Sequence, residues 1–334
     1  MVDRGSMGPA PNRKRLLILV AALVLLFLFP TVLPRFYVYM AAIVLVYGLA
    51  ATSLNLALGF GGLYQFHHAV FYGVGAYGAA LLMMKTGLSP WLGFVVGPLV
   101  ATLLGLVMGL ICIRLSKLYF GMLQISLGSL VWAIVYRWYS FTGGDDGIHG
   151  VPVPDLISSS SNAYYFTLIV TLVSMYVMHR ILKAPFGSVL QGIRDNPVRS
   201  EMIGVNVRRH QLMALVIASF FAGVAGSLFV VVDNTVFPDM LFWTLSMEMV
   251  IMCLLGGWLT FMGPMLGAAV IVALRTFVST YTVYWALVLG IIMMLVIFFL
   301  PEGVLGWLIQ LSRGKGRTKA EEGDAREDVS QGDR

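Results

Sequence analysis

Residues 91–113, WLGFVVGPLVATLLGLVMGLICI, run for 23 positions without a charged side chain. A helix rises about 1.5 Å per residue, so this stretch reaches about 35 Å, enough to cross a hydrocarbon core of about 30 Å. The same window carried outward picks out nine more stretches, at 16–33, 36–60, 63–84, 118–136, 164–182, 212–232, 241–259, 264–281 and 283–300. Lipid offers no hydrogen-bond partners, so each must close its backbone bonds internally, as a helix does. The expected fold is all-α, a polytopic membrane protein with about ten transmembrane helices. The Gly-rich second, third, eighth and ninth spans are candidates for broken or re-entrant segments. Composition agrees: 59% of residues are hydrophobic and 11% charged, against roughly 45–50% and about 25% in soluble domains. A transmembrane domain over 16–308 is thus expected between an N-terminal segment, 1–15, and a polar tail, 309–334, too poor in apolar side chains to fold.

The basic residues orient the bundle. With the N-terminus in the cytoplasm, the inside segments hold four cations before the first span and two at Arg114 and Lys117. They hold six between Arg180 and Arg209, and six from Arg313 onward, eighteen of the 22 Lys and Arg. Only Arg35, Lys85 and Arg137 fall outside, and Arg275 lies within a span. The expectation is a multi-pass protein with both termini cytoplasmic. The net charge of +6 is then a topology signal, not a nucleic-acid surface. The first span follows Arg13-Lys14-Arg15 but is long and lacks a small-residue cleavage site, so it reads as a retained anchor. Cys112 and Cys253 lie far apart in apolar stretches and read as packing residues.

The longest inside connection, 183–211, carries the first functional signal. Phe186, Val189, Leu190 and Ile193 recur at helical spacing. Asn196-Pro197 then reads as a helix cap and first position, with a helix running through Arg199, Glu201 and Met202 to a stop near Gly204. Such a segment is either an ordinary interfacial helix or a docking helix that passes a partner's movement into the membrane.

Several ordered stretches carry a resemblance. They are FGSVLQGIRDNPVRSEMIGVNV at 186–207, Leu54-Asn55-Leu56 through Gly61-Gly62, and His68-Ala69-Val70-Phe71-Tyr72-Gly73 through Tyr77. Further on come Thr142-Gly143-Gly144-Asp145-Asp146-Gly147, Leu254-Leu255-Gly256-Gly257 with Met262-Gly263-Pro264, and Phe299-Leu300-Pro301-Glu302-Gly303. Together they resemble the permease subunits of branched-chain amino acid ABC importers, the LivM type, over roughly residues 45–308. The resemblance implies a bacterial inner (plasma) membrane subunit that completes its path with a second permease subunit. It implies two ATP-binding subunits below and a periplasmic solute-binding protein above. It also makes the 196–204 helix the coupling helix, with Asn196, Pro197, Arg199, Glu201 and Gly204 contacting the ATPases. ATP would be bound by those partners, leaving this chain without a cofactor. One departure stands out: Gln65-Phe66-His67 replace the family's small residues before its histidine.

Ionisable groups within a bilayer are functional candidates because each costs several kcal/mol. Gln65, His67, His68 and Glu248 are the candidates for the translocation path. The histidines could equally be packing residues, and Glu248 could pair with Arg275. The adjacent histidines make a poor metal pair, and no metal site is expected. The outside connection, 138–163, holds Asp145, Asp146 and Asp155 without the ligand spacing of an EF-hand. Docking of the binding protein is the expected role, a solvated loop the alternative. No Walker A, GxSxG or HExxH pattern occurs, so no enzymatic chemistry is expected. The rival class is a self-sufficient, ion-coupled secondary transporter or channel, which would need ionisable residues clustered at the midplane.

Overall fold

The computed structural model describes residues 26–86, 89–115 and 117–281, with isolated positions between 284 and 303. The span expected at 16–33 lies partly outside the described residues, and that at 283–300 largely so. The segments 1–15 and 309–334 also lie outside them.

Residues 26–32 are helical. Helices follow at α1 (Arg35–Asn55), α2 (Ala69–Lys85), α3 (Gly93–Cys112), α4 (Lys117–Arg137), α5 (Tyr139–Thr142), α6 (Ser160–Lys183), α7 (Pro185–Asp195), α8 (Pro197–Met202), α9 (Val207–Asp233), α10 (Trp243–Gly256) and α11 (Gly263–Tyr281). Six are long and apolar enough to cross a membrane: α1, α3, α4, α6, α9 and α11. Helix α1 runs on through a π turn at Leu56–Phe60. Helices α2 and α10 are apolar but shorter, about 25 and 21 Å by their 17 and 14 residues. The described residues therefore supply six full-length helices and two short ones, and a count of ten rests on stretches outside them.

Backbone contact holds the centre together. A Cβ on Gly226 of α9 would stand 1.9 Å from the Tyr72 carbonyl oxygen of α2, and one on Gly75 would stand 2.4 Å from the Gly223 Cα. Only residues without side chains permit such approach, the usual device of helix packing where lipid removes the hydrophobic drive. Pro98 and Ala101 of α3 touch the same Gly223. Cys112 and Cys253 are buried and free, as packing residues would be.

Two ends of the bundle can be told apart. At one, Lys85 Nζ donates to the carbonyls of Ser140 and Phe141 at 3.2 and 2.7 Å. There too β1 (Ile148–His149) pairs antiparallel with β2 (Thr235–Val236), and Tyr39 Oη donates to Asp233 Oδ1 at 2.7 Å. We call this the loop end. At the other, α7 and α8 lie beside the π turn at Leu56–Phe60, through Arg194 and Gly59. Of the spans expected to be broken or re-entrant, the third, 63–84, does begin with a break. Residues 61–68 are not helical, and α2 starts only at Ala69. Gly62, with φ +64°, turns the chain out of helical geometry at low cost because it has no Cβ. The eighth span likewise begins at Trp243, not 241, after Asn234 caps α9 in the left-handed region at φ +56°.

Candidate translocation site

The two breaks mirror each other. Each follows a long helix, opens with a left-handed residue, and leads into a short apolar helix. Helix α1 and helix α9 lie antiparallel, since Tyr39 near the start of one meets Asp233 at the end of the other. The breaks consequently enter the bundle from opposite ends. Inside they meet: the Ala69 backbone N–H, at the start of α2, donates to Ser246 Oγ in the first turn of α10 at 2.8 Å. Leu241, just before α10, packs on Gly73. From that meeting α2 runs to the loop end. Helix α10 runs to the opposite end, where Cys253 Sγ donates to Ala51 O at 3.2 Å and a Cβ on Gly59 would meet the Trp258 carbonyl. Two helix starts, each a positive dipole end, thus converge inside the bundle.

Around them sit buried polar groups. Gln65, His67 and His68 are all fully buried. His68 Nε2 lies 2.8 Å from Ser53 Oγ of α1. His67 turns the other way, onto α4, where its ring occupies the space a Cβ on Gly128 would need. Phe66 packs on Gly121 one face-repeat earlier. Gln124, fully buried between those two glycines on α4, was not singled out in the sequence. Both polar atoms of Gln65 and of Gln124, and both ring nitrogens of His67, lack a hydrogen-bond partner. A buried polar group without partners costs on the order of 1–3 kcal/mol, so three such side chains on this segment and on the helix packed against it mark a place fit for water or a polar solute. The bulky Gln65-Phe66-His67 run fits because α4 offers glycine opposite it. The two histidines diverge, His68 toward α1 and His67 toward α4, and among the described residues no group of metal-ligating side chains occurs.

The 196–204 segment has the helical form read from the sequence. Asn196 Oδ1 accepts from the Arg199 N–H at 3.0 Å, Pro197 takes the first helical position, and Gly204 lies at φ +87°. Arg199, Glu201 and Gly204 are exposed. So are Val198, Met202 and Ile203, at 58%, 82% and 77%, an apolar patch with nothing among the described residues over it. Helix α7 buries Leu190 and Ile193. The residue the sequence reading passed over is Arg194. Its Nη1 donates to the Gly59 carbonyl at 2.9 Å, its stem packs on Gly62, and its Nη2 meets Asp195 at 3.0 Å. It ties the α7–α8 pair to the start of the break that carries Gln65 and the histidines. Only its place immediately before the α7–α8 elbow could have signalled this.

Glu248 does pair with Arg275, at 3.6 Å. At the loop end Asp145, Asp146 and Asp155 are exposed in single 3₁₀ turns, Gly144–Asp146 and Asp155–Ile157. Tyr139 Oη donates to Asp146 Oδ2 at 2.6 Å. That bond, with the nearby carboxylate charge, raises the phenol above its ordinary value.

Membrane-length helices around two broken ones that meet inside the bundle make up a membrane transport protein. The model of the family described as branched-chain amino acid transport system / permease component matches residues 36–297, and the chain belongs to that family. It is a permease subunit of an ABC importer. The high-affinity branched-chain amino acid transport system permease protein LivM of Escherichia coli (strain K12) is 28% identical, over 92% of this chain and 79% of the relative. Its counterpart from Salmonella typhimurium (strain LT2) is 27% identical with the same coverage. A probable branched-chain amino acid transport permease protein LivM from Methanocaldococcus jannaschii is 25% identical, over 68% of this chain and 69% of the relative. No solved structure matches the chain at a significant level.

Proposed function

We propose that this permease carries a branched-chain amino acid or a close relative, together with a second permease subunit, at the expense of ATP hydrolysed by two separate subunits. The α7–α8 end faces the cytoplasm and receives the ATPases. The loop end faces the periplasm, and Asp145, Asp146 and Asp155 meet the solute-binding protein there. Gln65, His67 and His68, with Gln124, line the path, while Glu248 is held by Arg275.

The observation that carries this reading is the Arg194 bridge. Movement imposed on α8 through Asn196, Arg199, Glu201 and the exposed Val198 and Met202 passes through one short elbow to Gly59 and Gly62. Those residues lead directly into the buried polar break. A displacement of the helix pair therefore moves the wall of the path without unfolding a spanning helix. Apolar side chains exposed on a charged surface support a protein partner at that end. The test is to tag the chain in its host, solubilise the membranes gently, and identify what co-purifies. Two ATP-binding subunits should be recovered, and replacing Glu201 and Gly204 should release them while the second permease stays bound. Retention of the ATPases by that variant would remove α8 from the coupling surface.

A further inference from the structure

A second polar place lies apart from the broken-helix centre. Between α1, α9 and α11 is a cavity of about 380 Å³, within the range of about 300–1,000 Å³ usual for small-molecule sites. Its walls are unlike one another. Asp233 stands on one, Arg275 on another, and Met40, Ile43, Phe229 and Val272 supply apolar surface. The Asp233 carboxylate is fixed by Tyr39 Oη at 2.7 Å and by the Thr235 hydroxyl. Both contacts are neutral donors, so its charge is not cancelled by them, and each oxygen keeps a free lone-pair position. Arg275 reaches Glu248 at 3.6 Å through Nη1. A guanidinium has five N–H donors and can hold a second carboxylate alongside the first. A fixed anion and a cation across an apolar hollow complement a small zwitterion with an apolar side chain.

We propose that this cavity is a binding site for the free amino acid on its way through the permease, with Asp233 taking the ammonium group, Arg275 the carboxylate, and Ile43 and Phe229 the side chain. The identity of the solute rests on the function proposed above; the place and the polarity of binding do not. Asp233 ends α9 at the loop end, whereas Arg275 lies deeper along α11, so the solute enters carboxylate first. As its carboxylate reaches Arg275 it shares the guanidinium with Glu248, whose contact at 3.6 Å is longer than an optimal charged hydrogen bond and so shifts readily. Glu248 belongs to α10, the short helix whose first turn caps α2. Occupancy at the loop end is thereby linked to the broken centre.

The experiment uses the permease assembly recovered from the host, reconstituted in liposomes without binding protein. Ser279 lines the cavity and both native cysteines are buried, so Ser279→Cys gives a reporter whose reaction with a charged, membrane-impermeant thiol reagent is timed. L-Leucine should slow that reaction at least tenfold. The acid lacking the amino group (4-methylpentanoate) and the amine lacking the carboxylate (3-methylbutylamine) should do so only at concentrations at least tenfold higher. Asp233→Asn should abolish the advantage of leucine over the acid, and Arg275→Gln its advantage over the amine. Several outcomes would overturn the site. These are a reporter reached only by lipid-soluble reagents, a rate that leucine leaves unchanged, and equal protection by all three compounds. Loss of ATP-driven uptake by the unsubstituted assembly is a different failure, one that strikes the proposed function and not the cavity.

Discussion

Replacing Arg194 by Ala should uncouple ATP hydrolysis from transport. The substitution removes the Nη1 bond to the Gly59 carbonyl at 2.9 Å and the stem that fills the space over Gly62. A hydrogen bond from a charged donor contributes about 1.5–3 kcal/mol. The side chain is 24% exposed, so the lower figure applies. The contact to Asp195, itself 69% exposed, belongs to the class of surface pairs worth about 0–1 kcal/mol and is left out. A loss of about 1.5 kcal/mol lowers the equilibrium constant for joining the α7–α8 pair to the break by about tenfold. In proteoliposomes holding the complete importer, uptake per ATP hydrolysed should fall, by up to that factor, while hydrolysis itself continues. Asp195→Asn leaves the Gly59 contact in place and should keep most of the coupling. The reasoning is refuted if Arg194→Ala transports as well per ATP as the unsubstituted protein, or if Asp195→Asn loses as much.

Three further outcomes follow from the same structure. Gly226→Ala puts a Cβ 1.9 Å from the Tyr72 carbonyl, a backbone atom that cannot swing aside. The helix-propensity gain of about 1 kcal/mol is outweighed by overpacking of about 1–3 kcal/mol or more, and the melting temperature in detergent should drop. Ser53→Ala strips the partner from the fully buried His68 and should destabilise by about 1–3 kcal/mol, measurable in the same melt; Ser53→Thr should recover part of it. Asn196→Ala removes the cap on α8 and should cost about 1 kcal/mol locally, seen as faster amide exchange over 197–202 with the spanning helices unchanged.

Much of this architecture is legible in the sequence because the bilayer imposes length. Six of the stretches found with a 20-residue window reappear as helices of spanning length, with ends shifted by a few residues, as in α9, which starts at Val207 rather than 212. The α8 helix is legible to the residue, since Asn, Pro and Gly each have one favoured place at a helix end. The breaks at 61–68 and 234–242 are less so. Hydropathy cannot separate a buried extended segment from a buried helix, because both are apolar throughout. The clue at 61–68 was the polar run ending in two histidines within an apolar stretch, which has its physical cause in the glycines of α4 opposite. Arg194 and Gln124 stayed hidden for another reason. Arg194 acts on Gly59, 135 positions away in the chain, and Gln124 lies on α4 between Gly121 and Gly128, which pack on Phe66 and His67; no local pattern encodes such neighbours.

The central claim is that an outside motor drives this chain through α8. The most direct measurement is uptake of labelled L-leucine into liposomes containing the purified importer, with ATP and ion gradients supplied separately. The account predicts uptake that needs ATP and the co-purified ATPase subunits, is indifferent to proton or sodium gradients, and is lost when Glu201 and Gly204 are replaced. Uptake by this chain alone, driven by an ion gradient without ATP, would contradict it.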